Sequence, residues 1–282
     1  MARRIMVGWL LIGLVLLYLG GCGYLFFGQR RIIFEPQAQP LHPVPSDFAL
    51  PYETITIPVA LGQQLTGWWL PQGNGDKTLL FLHGNGGLTA YNFQAIALWY
   101  QAGYSVLAFN YRGFGQSSVG FPQESQVYAD AAAAYTFLTQ TKKIPAQQLM
   151  IHGHSLGGAI AIELAQRYPV GGLFLEGTFT SMFAMSTTKP LYRIFPVAFL
   201  LHQRFNSAAK ITQLQLPIFL CHGELDKTVP STMGAQLWAI ANEPKQFQAV
   251  PGADHHNLAA VGPTTIQQGI TWLENHRSLC HG

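Results

Sequence analysis

The sequence predicts an α/β domain built on a mostly parallel β-sheet with helices on both faces, and three observations predict it. First, six apolar runs of strand length, Thr78 to Leu82, Tyr104 to Phe109, Leu149 to Ile151, Gly172 to Leu175, Ile218 to Cys221 and Phe247 to Val250, are separated by helical stretches or longer connections. Strands that alternate with helices need crossover connections, and crossovers make neighbouring strands parallel and cover both sides of the sheet. Second, Glu53 to Val59 and Leu65 to Leu70 flank a turn and read as an opening hairpin, which brings the strands to eight. Third, the 282 residues are 49% hydrophobic and only 10% charged, against about 25% charged in an average soluble domain. Such a chain must bury a large core and is not a disordered one.

The helices are expected at Ala90 to Gln101, Glu124 to Gln140, Leu156 to Tyr168, Thr232 to Asn242 and Thr265 to His276. One interval breaks the rhythm. Ser181 to Gln215, between the fourth and fifth parallel strands, is longer than a crossover helix needs and carries Met182, Phe183, Met185, Leu191, Tyr192, Ile194, Phe195, Phe199 and Leu200. It predicts one or two helices over the carboxyl ends of the strands, where open parallel sheets bind ligands; an ordinary surface excursion is the plainer alternative.

Ahead of the domain, Ile5 to Phe27 is 23 consecutive uncharged residues. As a helix this run spans about 34 Å, enough for a hydrocarbon core of about 30 Å. A single uncleaved N-terminal membrane anchor is the favoured reading. Leu19-Gly20-Gly21-Cys22 also resembles a lipoprotein box in which Cys22 would carry lipid, and a plain cleaved signal peptide is a third possibility; Tyr24 to Phe27 extend the apolar run beyond a cleavage at either. Two arginines flank each end of the run, so charge gives no orientation. Gln29 to Pro51 holds five prolines and reads as an extended connector.

The formal charge of +3 comes from those flanking arginines; from Ile32 onward 12 basic residues face 13 acidic ones. A near-neutral body offers nothing to nucleic acid. Cys22, Cys221 and Cys280 form neither a disulfide framework nor a metal-ligand pattern, and no histidine pair has metal-site spacing with a third ligand in view, so neither metal nor cofactor is expected.

The chemistry concentrates at Gly153-His154-Ser155-Leu156-Gly157, a Gly-x-Ser-x-Gly pattern between a strand and a helix. A serine on so tight a turn takes strained backbone angles, and only glycines two residues to either side tolerate the close approach. The turn lifts the Ser155 hydroxyl clear of the sheet and aims the Leu156 amide at the same space, where it can stabilise an oxyanion. A serine hydroxyl needs a base and an orienting carboxylate. Asp226, in the loop after Ile218 to Cys221, is the favoured acid, with Glu224 and Glu176 as rivals. The base should follow it in the chain, and Gly252-Ala253-Asp254-His255-His256-Asn257 offers two adjacent histidines of which only one can point at Ser155. His152 and His154 are too local to reach round the turn and read as structural. The second oxyanion amide should come from His83-Gly84-Asn85-Gly86-Gly87, with Asn85 the expected donor and Gly86 the alternative. A phosphate cradle is disfavoured there, since no Lys-Ser or Lys-Thr follows.

In order along the chain, Phe81 to Gly87, Asn110 to Ser117, Gly153 to Gly158, Cys221 to Asp226 and His256-Asn257 resemble the α/β-hydrolases, and within them the BEM46-like group of membrane-anchored serine hydrolases. The likeness runs from about Ile32 to Leu273. It implies an α/β-hydrolase fold with a small helical lid, a triad of Ser155, Asp226 and His256, and an N-terminal anchor. The choice of His256 over His255 rests on the group's His-Asn pair. The chain departs from the group at Asn110, more often Asp, and at Leu258, where Asp usually follows that pair. Arg112, in the turn Tyr111 to Gly115, is expected to hold the bend through backbone carbonyls rather than to wall a pocket.

The expected organisation is therefore an anchor with basic flanks over 1–31, a connector over 32–51, and a hydrolase domain over 52–282 with its lid at about 181–215. The expected substrate is a small-molecule acyl ester or thioester with a hydrophobic portion, cleaved through an acyl-enzyme, with the membrane the other partner and the oligomeric state left open. Amide hydrolysis by the same triad and a catalytically silent membrane-tethered scaffold are the competing readings.

Overall fold

The computed structural model describes residues 2–36, 48–73 and 77–277. Its centre is one eight-stranded sheet, β1 (Glu53–Pro58), β2 (Gln64–Leu70), β3 (Thr78–Leu82), β4 (Ser105–Phe109), β5 (Leu149–His154), β6 (Gly172–Glu176), β7 (Ile218–Gly223) and β8 (Lys245–Val250), in the order β1-β2-β4-β3-β5-β6-β7-β8. β2 is antiparallel to β1 and to β4, and the rest pair in parallel. From β3 the chain moves to β4 on one side and later to β5 on the other. The strand order thus reverses at β3 and β5, and the loops leaving their carboxyl ends part to form a crevice there.

Alternation along the buried strands divides the core in two. Leu80, Leu82, Leu107, Phe109, Ile151, Leu173, Leu175 and Leu220 face α3 (Glu124–Thr136), α4 (Leu156–Arg167), α7 (Ser207–Ile211) and α8 (Ser231–Ile240). Leu79, Phe81, Val106, Ala108, Met150, Phe174 and Phe219 face α2 (Ala90–Gln101), α9 (Leu258–Val261) and α10 (Pro263–Arg277). The helix expected to reach Gln140 is α-helical only to Thr136 and closes in a wider π turn, Phe137–Thr141.

The segment 181–215 is not one or two long helices but a chain of short ones, α5 (Met182–Thr187), a 3-10 turn (Pro190–Ile194), α6 (Val197–Leu200) and α7. Pro190 follows α5 and Pro196 follows the 3-10 turn, which stops those two before they lengthen.

The N-terminal helix α1 (Ala2–Ile33) runs through the whole apolar stretch, passes Cys22 without a break and continues beyond 31. Among the described residues it is the one helix long and apolar enough to cross a membrane. Its end enters the domain: Ile33 and Phe34 are buried in the α3–α4 side of the core, Phe34 edge-on to Phe205. Of the expected connector, 37–47 lies outside the described residues, as does Cys280.

Candidate active site

Ser155 sits between β5 and α4 with φ 55° and ψ −118°, left-handed backbone that a side-chain-bearing residue adopts only when its neighbours hold it there. The holding is visible. Its amide donates to the Glu176 carbonyl on β6 (2.8 Å), and its carbonyl accepts from the Thr178 hydroxyl (2.8 Å) and the Gly158 amide (3.0 Å). A Cβ on Gly157 would collide with the carbonyl oxygen of Leu82, and one on Gly153 with that of Gly157. The glycines are there because backbone occupies the space, as the pattern implied.

Asp226 follows β7. Its Oδ1 accepts from the amides of Thr228 and Val229 (both 2.8 Å), and its Oδ2 from His255 Nδ1 at 2.6 Å; His222 Nε2 lies 3.2 Å from the same oxygen and shares its hydrogen with the Val229 carbonyl (3.0 Å). Burial alone would raise its pKa, but the hydrogen bonds from His222 and His255, the charge of His255 and the Val229 amide outweigh that and hold the carboxyl well below the usual range. Because an ionised carboxylate can only accept, His255 carries its proton on Nδ1. The other ring nitrogen, Nε2, then accepts from the Ser155 hydroxyl at 2.9 Å. Hydroxyl, imidazole and carboxylate thus form one continuous relay, buried at the carboxyl ends of β5, β7 and β8.

This corrects the expectation of His256. The structure brings His255, not His256, to Ser155 and Asp226. The 254–257 turn explains the choice: the Asp254 amide donates to Asn257 Oδ1 (2.7 Å) and the His256 amide to Asp254 Oδ1 (2.8 Å), so adjacent side chains leave the bend on opposite sides. His255 is buried while His256 is exposed, its ring edge-on to Tyr91. The His-Asn pair carried the resemblance but not the geometry.

Three further histidines around the site hold structure, each in its own way. His154 Nε2 donates to the His255 carbonyl (3.1 Å), fixing the backbone of the loop that presents the imidazole. Burial, helped by repulsion from His255, drives its pKa well below normal, so it is neutral. His152 lies inside the sheet's α2 side, accepting from Trp99 Nε1 (2.9 Å) and donating to Glu176 Oε2 (2.9 Å). Burial lowers His152 to about 3 and raises Glu176 to about 8. Glu176 is therefore committed beneath the turn and is no rival to Asp226; Glu224 is exposed. His83 donates from Nδ1 to the Gly84 carbonyl (2.7 Å) and accepts the Tyr111 amide at Nε2 (3.4 Å), which ties the β3 loop to the β4 loop. Arg112 does hold its bend, but chiefly through the buried Asp130 carboxylate (2.6 Å) and Gln63 Oε1 (2.8 Å) rather than through carbonyls.

Asn85 and Leu156 both line the cavity into which Ser155 opens. Leu156 begins α4, so its amide has no carbonyl of its own helix to donate to. Gly84 lets the β3 loop come close, since a Cβ there would lie 3.3 Å from Ser155 Cβ. The cavity, about 580 Å³, is lined mainly by apolar groups of the 181–215 segment, Val229, and Leu25, Gln29, Ile32 and Ile33 of α1. Two contributors escaped the sequence reading. His222 stands four residues before Asp226, a spacing that could have marked it as a second donor. Gln29, a polar residue closing a long apolar run, was the visible sign that the helix end packs into the domain. Among the described residues no cluster of His, Cys, Asp or Glu is grouped to hold a metal ion.

Comparison with known proteins gives the same architecture. Residues 77–205 match the model of the alpha/beta hydrolase fold family. Protein bem46 of Schizosaccharomyces pombe is 27% identical over 253 residues, 83% of this chain and 82% of its own. An uncharacterized membrane protein of Saccharomyces cerevisiae is 30% identical over 270 residues, 91% of each chain. Among solved structures, a Pyrococcus furiosus esterase superposes with a TM-score of 0.71 over 86% of this chain and 97% of its own, at 18% identity, a likeness of fold.

Proposed function

The chain belongs to the α/β-hydrolase superfamily, in its bem46-like group, and from that premise we propose that it is a serine hydrolase that cleaves carboxylic esters or thioesters through an acyl-enzyme on Ser155. The observation that carries the reading is the relay of Ser155 Oγ to His255 Nε2 at 2.9 Å and His255 Nδ1 to Asp226 Oδ2 at 2.6 Å. Ser155 Oγ attacks the carbonyl carbon as its proton passes to His255 Nε2. Asp226, held ionised by four donors, keeps the ring in the tautomer that can accept and then stabilises the imidazolium. Charge developing on the carbonyl oxygen is met by the amides of Leu156 and Asn85. The carbon–oxygen or carbon–sulfur bond breaks, and the leaving alcohol or thiol takes the proton from His255. Water then gives a proton to His255, its oxygen attacks the acyl carbon, and the acid departs as Ser155 regains its hydrogen.

α1 is the membrane anchor in this reading, supported by its length, its exposed apolar surface from Ile5 to Phe27 and the yeast relative described as a membrane protein. The apolar cavity favours an acyl group with a hydrophobic portion. The test is labelling of the full-length protein with a fluorophosphonate probe, beside turnover of matched esters, thioesters and amides. Modification of Ser155 with ester or thioester turnover is the expected result. Faster amide turnover would make it a peptidase, and absence of labelling would leave a tethered scaffold.

A further inference from the structure

The cavity beside Ser155 has a wall that no separate domain could supply, because part of it is the N-terminal helix. Leu25, Gln29, Ile32 and Ile33 line it, and their spacing of four, three and one places them on one face of α1. A bilayer core of about 30 Å takes about 20 helical residues, and counted from Arg4 those are Ile5 to Tyr24. The turns that line the cavity therefore stand at the membrane surface, flanked by Tyr24, Phe26 and Phe27, which are exposed aromatics of the kind that settle at that level.

The lid reaches lower still. Phe195 stacks on Tyr18 with ring centroids 5.5 Å apart, the Tyr18 hydroxyl donates to the Ile194 carbonyl (3.2 Å), and a Cβ on Gly21 would lie 2.7 Å from the Phe195 ring. Tyr18 and Gly21 belong to the apolar run, so the lid segment that touches them lies at the depth of the acyl chains. Its surface there is largely apolar and uncovered: Leu191, Ile194 and Phe199 are 66%, 61% and 89% exposed, with the exposed Arg193 between them turned back to the Thr187 carbonyl (3.0 Å). Leu191 of the lid and Leu25 of α1 both line the cavity, and both keep part of their surface exposed, so lid and helix together reach its rim.

The junction is built. Gln29 is buried; its Oε1 accepts from the amides of His202 and Gln203 (both 2.9 Å) and its Nε2 donates to the Leu200 carbonyl (3.1 Å). Arg30 Nε donates to the Pro122 carbonyl (2.8 Å), and the Glu35 amide to the carbonyl of Asn85, in the loop beside Ser155 (3.1 Å).

We propose that the end of the anchor helix and the lid together form a chamber that opens into the bilayer, and that the substrate is a long-chain acyl ester resident in the membrane, whose chain enters sideways between Leu25 and Leu191 and lies against α1. The proposal rests on the serine hydrolase reading and adds to it the source of the substrate and the part of the protein that measures its chain. A longer chain occupies more of the chamber, so narrowing it with a larger side chain penalises long chains selectively.

The test uses the full chain in dioleoyl phosphatidylcholine vesicles with p-nitrophenyl butyrate and palmitate. Leu25→Trp and Ile32→Trp should each lower the palmitate-to-butyrate ratio of kcat/KM about tenfold or more, whereas Leu14→Trp, on the exposed face of α1 away from the chamber, should leave that ratio as it is. A second measurement needs no variant: a palmitoyl-length fluorophosphonate with a diazirine at the chain end should attach to Ser155 of the wild-type protein and crosslink to residues 25–33 or the lid. An unchanged ratio in both tryptophan variants, or a crosslink confined elsewhere, overturns the chamber while Ser155 labelling still upholds the hydrolase. Failure to label Ser155 at all sinks the hydrolase reading itself.

Discussion

The turn that carries Ser155 and the cap that covers it are built by opposite means. At the turn, five consecutive residues hold almost everything: two glycines pressed on backbone, one serine in left-handed conformation, and hydrogen bonds from β6 and α4 that leave no freedom. The cap is assembled from short helices at 182–211 and from α1, more than a hundred residues away in the chain, and is held by contacts between apolar side chains around one buried glutamine. Reaction chemistry demands positions fixed to fractions of an ångström, and only backbone supplies that. The proposed selection among acyl chains demands only shape and apolarity, which many side chains provide. The first region should therefore fail abruptly when altered and the second by degrees.

The largest effect expected is at the relay. His255→Ala should reduce ester kcat/KM by about 10⁴-fold, while His256→Ala should change it no more than about threefold; steady-state kinetics on the pair decides between the neighbours, and the reverse ranking would break the assignment. Next is the turn itself. Gly157→Ala forces a methyl into the Leu82 carbonyl and should cost roughly 3 kcal/mol or prevent folding, whereas Phe199→Ala in the cap, at 89% exposure, should stay within about 0.5 kcal/mol in denaturant titration. Equal losses would remove the distinction between the regions.

A smaller effect falls on His222, which donates to Asp226 without touching Ser155. His222→Phe should lower kcat about tenfold with KM little changed, and the loss should deepen as pH falls, because a carboxylate deprived of a donor protonates more readily. The smallest is in stability. Glu176 is raised by burial to about 8, so between the unfolded carboxyl pKa near 4.3 and pH 8 the folded state binds the extra proton and stability declines as pH rises. His152, lowered to about 3, acts at the other end: its contribution is present above the ordinary histidine value of about 6.5 and is lost as pH falls below it. Glu176→Gln should remove the first dependence, on the order of 1 kcal/mol per pH unit at most, and leave the second; chemical denaturation at pH 5 and 8 measures both.

How much of this was readable beforehand follows the same division. The strands and Ser155 were legible because their signals are local: β3 and α2 begin and end where the apolar runs do, and Gly-x-Ser-x-Gly states its own steric reason. Asp226 was legible from its place after a strand. The choice between His255 and His256 was not, because it depends on which way a four-residue turn closes, and that is decided by Asp254 and Asn257 bonding to each other's backbone. A family likeness aligned on His-Asn could not see it. The role of α1 was harder to read for another reason: its apolar run fits the proposed membrane span, and only Gln29 at its end points to a second function.

Gln29 has one more consequence. Its amide satisfies three backbone groups of the cap, and none of these could lose its partner inside hydrocarbon without a cost of several kcal/mol. Sliding the helix one turn further into lipid would drag that polar knot below the waterline, and drawing it out would strand Phe26 and Phe27 in water. In the proposed membrane-anchored hydrolase the residue thus acts as a draught mark, setting how deep the protein floats and so the level relative to the bilayer at which bond cleavage happens.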